Sequence, residues 1–494
     1  MVARCGYYQS LALALTLGLL FIAAVPLLAG PEPRIAEAAR NRDLAAVRSL
    51  LKSGADPNTP RSDGSTAIHW AARWDDLALA ELLVAAGADV NRVNPYGVTA
   101  LSLAAVNGSA GMAERLLAAG ANPNLGHLSG ETPLMNAARS GSVDTVRALA
   151  THGADLNAHE KVKGQTALMW AVAERHLEAA RALIDLGADI HAKSASGSNA
   201  LMFAARDGDI DLVKMLLGKG ARVQETAADG ATPLLIATIR GHVPLALFLL
   251  DHGADPNAAG TGYTALHWAA GRWETVHTHD YDVPTGEWSR LAGLPRAEKF
   301  ELMKALVAHG ANVNAKATRL PPRYGYSLFN SVGRYAVGGT PFHIAAVSAD
   351  PEVMRFLAAN GADPSIRGGA NTTAIIAAAG RTMIPGETRV SEAEHLEAVK
   401  AAFDLGVDIA ATNDDGWNAV HAAAYAGFDS IVRYLVERGV DVNLISKRGY
   451  TPLKVAEGYV FPNMVNIKTS TVDVLRALGG VSTPGPPPRV NEER

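Results

Sequence analysis

The chain is 494 residues long and carries 45 Lys and Arg against 49 Asp and Glu, a formal charge of −4. That balance excludes an overall basic nucleic-acid binder, and 48% apolar against 19% charged residues supports a buried core rather than broad disorder. Cys5 is the only cysteine, which rules out an intrachain disulfide framework, a thiolate zinc site, a haem-attachment motif and an iron–sulfur cluster.

Residues 1–30 read as an address. Arg4 is their only charge, an apolar run extends from Leu11 to Leu28, and Ala29-Gly30 supplies small residues at the end of that run. A short basic region, an apolar stretch and a small-residue boundary predict a secretory signal, cleaved after Ala29. The run is also close to the length of a membrane span, so an uncleaved anchor stays open. Cys5 precedes the apolar run and is not placed as a lipoprotein acceptor. The expected location is the periplasm or the exterior, with membrane tethering if the signal is kept. No further span is expected in the mature chain.

From there the sequence repeats itself. Gly64-Ser65-Thr66-Ala67-Ile68-His69-Trp70-Ala71-Ala72 returns as Gly97-Val98-Thr99-Ala100-Leu101, Gly130-Glu131-Thr132-Pro133-Leu134 and Gly164-Gln165-Thr166-Ala167-Leu168. It is still legible at Gly262-Tyr263-Thr264-Ala265-Leu266-His267, Gly339-Thr340-Pro341-Phe342-His343 and Gly449-Tyr450-Thr451-Pro452-Leu453. A second signature closes each unit, as in Gly87-Ala88-Asp89-Val90-Asn91 and Gly253-Ala254-Asp255-Pro256-Asn257. Over residues 33–480 the chain resembles the ankyrin repeat family, whose unit of about 33 residues carries a Thr-Pro-Leu-His motif.

The residues give the same unit a physical reading. Thr66 and its equivalents are placed to cap a first helix, and Pro133, Pro233, Pro341 and Pro452 fall at its first position, where no amide is lost. Leu79, Leu82 and Leu83 have the spacing of a second amphipathic helix, and Gly87 fits the left-handed position that ends it. One helix pair cannot bury both of its faces, so neighbouring units must supply the core. The expected fold is an all-α solenoid with hairpin-like finger loops and about twelve units. Its two end units are atypical, and residues 481–494 form a Pro-rich disordered tail.

Three segments exceed the repeat. The first, 272–297, contains His277, His279, Asp280 and Asp282, nitrogen and oxygen groups that could hold Zn²⁺ or Ca²⁺, beside Trp273 and Trp288. The alternative for that segment is an ordered surface loop. The second, 316–338, is rich in Pro, Tyr and Arg; the third, 380–394, is polar. His69, His267, His343 and His421 occupy a repeat position, where bonding to adjacent backbone is the expected role. His152, His252 and His309 precede a helix-ending glycine and suit the negative end of the helix dipole.

No nucleophile elbow, zincin motif, phosphate loop or dinucleotide fingerprint occurs, so no catalysis and no cofactor are expected. The resemblance implies a concave groove lined by fingers and first helices. Its residues in this sequence are Arg73, Trp74, Tyr96, Arg139, Arg206, Arg240, Tyr263, Arg272, Trp417, Tyr425 and Tyr450. A mix of aromatics and arginines suits protein recognition. The expected function is an exported scaffold, monomeric, holding another exported protein and no nucleic acid. An exported binder or hydrolase with a metal-assisted site in 272–297 is the alternative.

Overall fold

The computed structural model describes residues 34–272, 296–319, 337–381, 390–458 and 467–484. Within them the chain is a succession of antiparallel helix pairs. Arg34–Arg40 pairs with Leu44–Lys52, Ala67–Arg73 with Leu77–Ala85, Ala100–Val106 with Ala110–Ala118, and Pro133–Ser140 with Val143–Thr151. The series continues through Ala167–Ala173 with Leu177–Asp185, Ala200–Asp207 with Ile210–Gly218, and Pro233–Arg240 with Val243–Asp251. Beyond these come Ala265–Ala270 with Arg296–Ala308, Pro341–Val347 with Pro351–Ala359, and Ala374–Ile376 with Glu392–Asp404. Ala419–Ala426 with Asp429–Glu437 and Pro452–Ala456 with Thr469–Ala477 end it. The fold is the expected all-α ankyrin solenoid. No helix among the described residues is long and apolar enough to cross a membrane.

Most first helices start because the cap residue satisfies an amide the helix cannot. Thr99 Oγ1 accepts from Ser102 N at 3.0 Å, and the cap oxygens of Asn199 and Thr232 do the same for Met202 and Leu235. Alanine pairs such as Ala71-Ala72 and Ala104-Ala105 are fully buried, which lets successive first helices lie close together. Second helices send Leu79 and Leu83, or Leu212 and Leu216, into the same core. That core runs unbroken from Ile35 to Leu475. Truncating one such leucine to alanine would cost about 2–5 kcal/mol.

Hydrogen bonds repeat with the unit and tie neighbours at three levels. At the fingers, Leu128 N donates to Tyr96 O, Lys161 N to Ser129 O at 2.7 Å and Ala195 N to Lys163 O at 2.8 Å. The fingers are therefore turns joined by single bonds. No strand is formed among the described residues. Gly97 shows why glycine is needed there: its φ is +79° and a Cβ would stand 2.8 Å from the Leu128 nitrogen of the next finger.

The second level is a ladder of amides at the opposite end of the units. Asn91 Nδ2 donates to Gly120 O at 2.9 Å while its Oδ1 accepts from Asn122 N at 2.7 Å. Asn58, Asn124, Asn314 and Asn443 repeat both bonds with their own neighbours. Asn257 carries the ladder across the first long excess to Gly310 and Asn312, 53 and 55 residues on. His191, Ser365 and Ala410 stand where the spacing would place the amide.

At the third level, the turns between helices grip the preceding unit. Trp74 Nε1 donates to Arg40 O at 3.0 Å, Asn107 Nδ2 to Ala72 O at 3.0 Å, and Ser142 Oγ to Gly108 O at 2.9 Å. His176 and His242 reach Arg139 O and Arg206 O, both at 3.0 Å.

The end of the array is atypical, as the sequence suggests. The last unit has a second helix, Thr469–Ala477, displaced along the chain from the regular position. Val481, Ser482 and Thr483 are laid on the array rather than free. Val481 N donates to Asn443 Oδ1 at 2.7 Å, and Thr483 Oγ1 donates to Gly449 O at 2.7 Å. The helices after the first and third excesses, Arg296–Ala308 and Glu392–Asp404, are 13 residues long where most second helices have 9. Part of each excess has become helix.

Candidate protein-binding surface

The repeat-position histidines are structural. Thr66 N donates to His69 Nδ1 at 3.2 Å, which leaves the ring proton on Nε2, 3.0 Å from Val98 O in the next finger. One imidazole thus closes a capping box and joins two units. His421 Nε2 reaches Tyr450 O in the same way at 3.1 Å. Burial pushes His267 and His421 down to about 4, against partial support from neighbouring backbone carbonyls. His343 is buried at the equivalent position. His152, His252 and His309 each turn Nδ1 onto the carbonyl four residues back at 2.8 Å, satisfying an orphan acceptor at the helix end.

The proposed groove residues divide into four groups. Arg73 and Tyr96 are exposed, and Trp74 is 39% exposed. Arg139, Arg206, Arg240, Tyr425 and Tyr450 are half-buried. Along the first helices, guanidinium groups sit over aromatic rings: Arg40 and Arg61 over Trp70, Arg73 over Trp74, and Arg139 over Trp170, all at 5.5–5.9 Å from the ring centroid. Trp70 and Trp74 stack with centroids 6.0 Å apart. Such pairs hold arginine side chains extended over a flat apolar surface.

Tyr263 and Trp417 do not belong to this surface. They are 6% and 3% exposed. Tyr263 packs toward Trp268 at 6.5 Å. The Arg381 guanidinium lies 4.1 Å from the Trp417 ring centroid, and Tyr425 meets that ring edge-on at 6.1 Å. A finger residue of this size folds inward when the adjoining helix offers an aromatic to pack on, and sequence spacing does not reveal that choice.

Arg272 is also spoken for. Its backbone N donates to Ser348 Oγ at 2.9 Å, its Nε lies 3.5 Å from Asp350 and its Nη1 donates to Glu394 at 2.7 Å. Arg296 joins the group through Asp350 at 2.9 Å and Glu352 at 2.7 Å. From Glu394 the polar chain passes to its neighbour Glu392, which accepts from Ser430 N and Oγ at 2.6 Å. Asp429, beside Ser430, then takes Thr471 Oγ1 at 2.6 Å. The second half of the array is thereby laced along the starts of its second helices.

Sequence reading placed Tyr96 on the binding face but missed its two companions on the fingers. Tyr96, Leu128 and Val162, in three consecutive fingers, are 64%, 67% and 73% exposed. The turn residues hid Leu128 and Val162, since only Tyr96 lies directly before its finger glycine, where the motif picks it out.

Among the described residues no group of three metal-ligating side chains is assembled. The candidates His277, His279, Asp280 and Asp282 lie outside the described residues, as do most of the second excess and part of the third.

Comparison with known proteins agrees with the geometry. A family model described as ankyrin repeats in three copies matches residues 35–127, 116–194, 201–278 and 389–467, and an ankyrin repeat model matches 337–366. A 44-residue stretch is 48% identical to the Notch-regulated ankyrin repeat-containing protein of Xenopus tropicalis and 46% identical to that of Homo sapiens. Each match covers 9% of this chain and 39% of the relative. An ankyrin repeat-containing protein of Schizosaccharomyces pombe is 36% identical over 61 residues, 12% of this chain and 30% of its own length. The chain therefore spans well under half the length of these curated relatives. With matched repeats over more than half of its residues, the chain belongs to the ankyrin repeat family.

Proposed function

We propose that the protein is an exported interaction scaffold that holds a protein partner along the first-helix and finger face of its array, without chemistry of its own. Ankyrin repeats are in general non-catalytic binding scaffolds, and a protein-interaction role follows from the family. The observation that carries the finer reading is the row of arginines held over indole rings: Arg40 and Arg61 on Trp70, Arg73 on Trp74, and Arg139 on Trp170. Tyr, Trp and Arg side chains are enriched among binding hot spots, and an arginine already laid over a ring has less freedom left to lose on binding. The spread of exposed arginine favours a partner with acidic character. Export rests on the apolar segment Leu11–Leu28 after Arg4.

The test uses the full chain as bait in an envelope extract, beside a variant carrying Arg73→Ala, Tyr96→Ala and Arg139→Ala. Arg73 and Tyr96 are exposed and Arg139 is half-buried, so a thermal melt of the variant must first show that the array stays folded. A protein captured by the first bait, lost from the second and then titrated directly against both would establish the reading. Equal affinity for both baits would sink it and move the site to the excess segments.

A further inference from the structure

Three consecutive fingers carry a continuous apolar patch. Tyr96, Leu128 and Val162 are 64%, 67% and 73% exposed. The bonds between fingers run through these residues or their immediate neighbours: Leu128 N donates to Tyr96 O at 3.4 Å, and Lys161 N to Ser129 O at 2.7 Å. Val93 and Pro95, also exposed, widen the patch on the first of the three. The next two fingers put Ala195-Ser196 and Ala228-Asp229 at the same place. Among the described fingers beyond them, Ile445 alone is a comparably exposed large apolar residue.

The charge around the patch has one sign. Arg92, Lys161 and Lys163 are exposed on these fingers, and no carboxylate is. Lys161 Nζ donates to Leu128 O at 3.4 Å, which holds an ammonium group beside the Leu128 tip. Glu160 is turned inward, where it accepts from Val162 N, Lys163 N and Gln165 N at 2.6, 2.7 and 3.0 Å. The carboxylate that could have offset the lysines serves its own loop, and Glu131 is half-buried.

Exposed apolar side chains in contact with one another mark either a protein or a membrane contact. A peptide or small ligand draws its affinity from a concave site with walls. Here the backbones are bonded together beneath projecting tips, so the patch is a ridge. A bilayer accepts a ridge, because its headgroup layer gives way around each side chain. Tyrosine is enriched at that depth, with its ring toward the acyl chains and its hydroxyl in water. Lysine extends its apolar stem along the same boundary and leaves its charge among the lipid phosphates. The sequence supplies a reason for a membrane to be near, since Leu11–Leu28 is either a signal that crosses one or an anchor that stays in it. In the second case the six residues from Leu28 to Arg34 would keep the start of the array within about 20 Å of the bilayer.

We propose that the finger tips bearing Tyr96, Leu128 and Val162 seat in the headgroup layer of an anionic lipid bilayer, with Lys161 and Lys163 on the lipid phosphates. The array would then stand finger-first on the membrane and keep the arginine row of its first helices for a protein partner. The two surfaces use different residues apart from Tyr96, so either can fail without the other.

The test reads the tips themselves, because Leu11–Leu28 could hold the chain on a vesicle unaided. An environment-sensitive fluorophore is placed on Leu128→Cys in the full chain carrying Cys5→Ser, and vesicles of phosphatidylglycerol with phosphatidylcholine are titrated in. A blue-shifted emission, brighter several-fold and quenched by spin-labelled lipid, is expected. Vesicles of phosphatidylcholine alone should give little response, and salt should weaken the response. Lys161→Ala with Lys163→Ala should raise the lipid needed for half-maximal response at least about tenfold, as should Val162→Asp, with unchanged thermal melts. The same fluorophore on Glu178→Cys, on an exposed second-helix position, should stay unresponsive. A silent Leu128 probe, a response indifferent to the lysines, or an equal response at Glu178 overturns the proposal. A Leu128 response that grows with protein concentration in the absence of lipid also overturns it, in favour of contact between copies of the chain.

Discussion

Arg272 Nη1 lies 2.7 Å from Glu394 Oε1, across 122 residues of sequence and past an intervening unit. Ankyrin units ordinarily need only their neighbours for packing. This bond, with Asp350 between, makes the units around it a larger cooperative block. Burial pushes Glu394 up, but the hydrogen bond from Arg272 and those from Ser391 outweigh it and hold the carboxyl at about 2. A depressed carboxylate contributes stability above its unfolded value near 4.3 and loses it as pH falls toward 2. Because Glu394 is 42% exposed, solvent screens much of this. A double-mutant cycle of Arg272→Ala and Glu394→Ala should give a coupling on the order of 1 kcal/mol at pH 7. Additive losses would show that the pair contributes nothing as a pair.

The buried imidazoles set a second pH dependence, at milder acidity. His267 and His421 are neutral in the fold, with values about 4 against 6.5 in the unfolded chain. Their stabilisation is fully present above pH 6.5. As pH falls from 6.5 through 4 the unfolded chain binds the protons first, and each site loses on the order of 3 kcal/mol. Urea midpoints measured at pH 7.5, 5.5 and 4.5 should decline steeply, and His421→Gln should flatten that decline. A midpoint constant over this range would contradict the assignment.

Asn91→Ala removes both rungs that join its unit to the next, the bonds to Gly120 O and from Asn122 N. Two bonds of ordinary strength at an exposed site predict a loss of about 1–2 kcal/mol. Urea denaturation followed by circular dichroism measures it. Hydrogen exchange should meanwhile quicken at Asn122 and not at Lys161, whose bond belongs to the fingers.

Trp417 and Trp74 should part company. Trp417→Ala opens the core beneath Arg381 and should destabilise the fold by about 3–5 kcal/mol. Trp74→Ala loses the bond to Arg40 O and a half-exposed ring, whereas Arg73→Ala should leave stability within about 0.5 kcal/mol. Thermal melts separate the three. A binding defect in Arg73→Ala with an unchanged melt would be a surface effect, and the same defect in Trp417→Ala would not.

The repeat itself was legible because it is enforced locally and many times over. Thr or Asn at the cap, proline at the first position, alanine pairs and a helix-ending glycine each have one physical use, and their period of about 33 residues reports the stacking. The role of His69 was legible for the same reason, since its partners Thr66 and Val98 recur at fixed spacing. The groove was only partly so. The motif gives the position of Tyr263 and Trp417 on a finger, but whether such a ring points out or in depends on what stands beside it. Trp268, on the helix that follows Tyr263, and Arg381, from the unit before Trp417, decided that.

Sequence alone therefore determined the unit, its caps, its core face and the family, because these depend on neighbours along the chain or one period away. Tertiary structure alone decided that Arg272 is a tie rather than a contact for a partner, since Asp350 and Glu394 come from units 78 and 122 residues on. It also decided which fingers remain bare. Exposure is a property of what the rest of the fold leaves uncovered, and no periodicity encodes it.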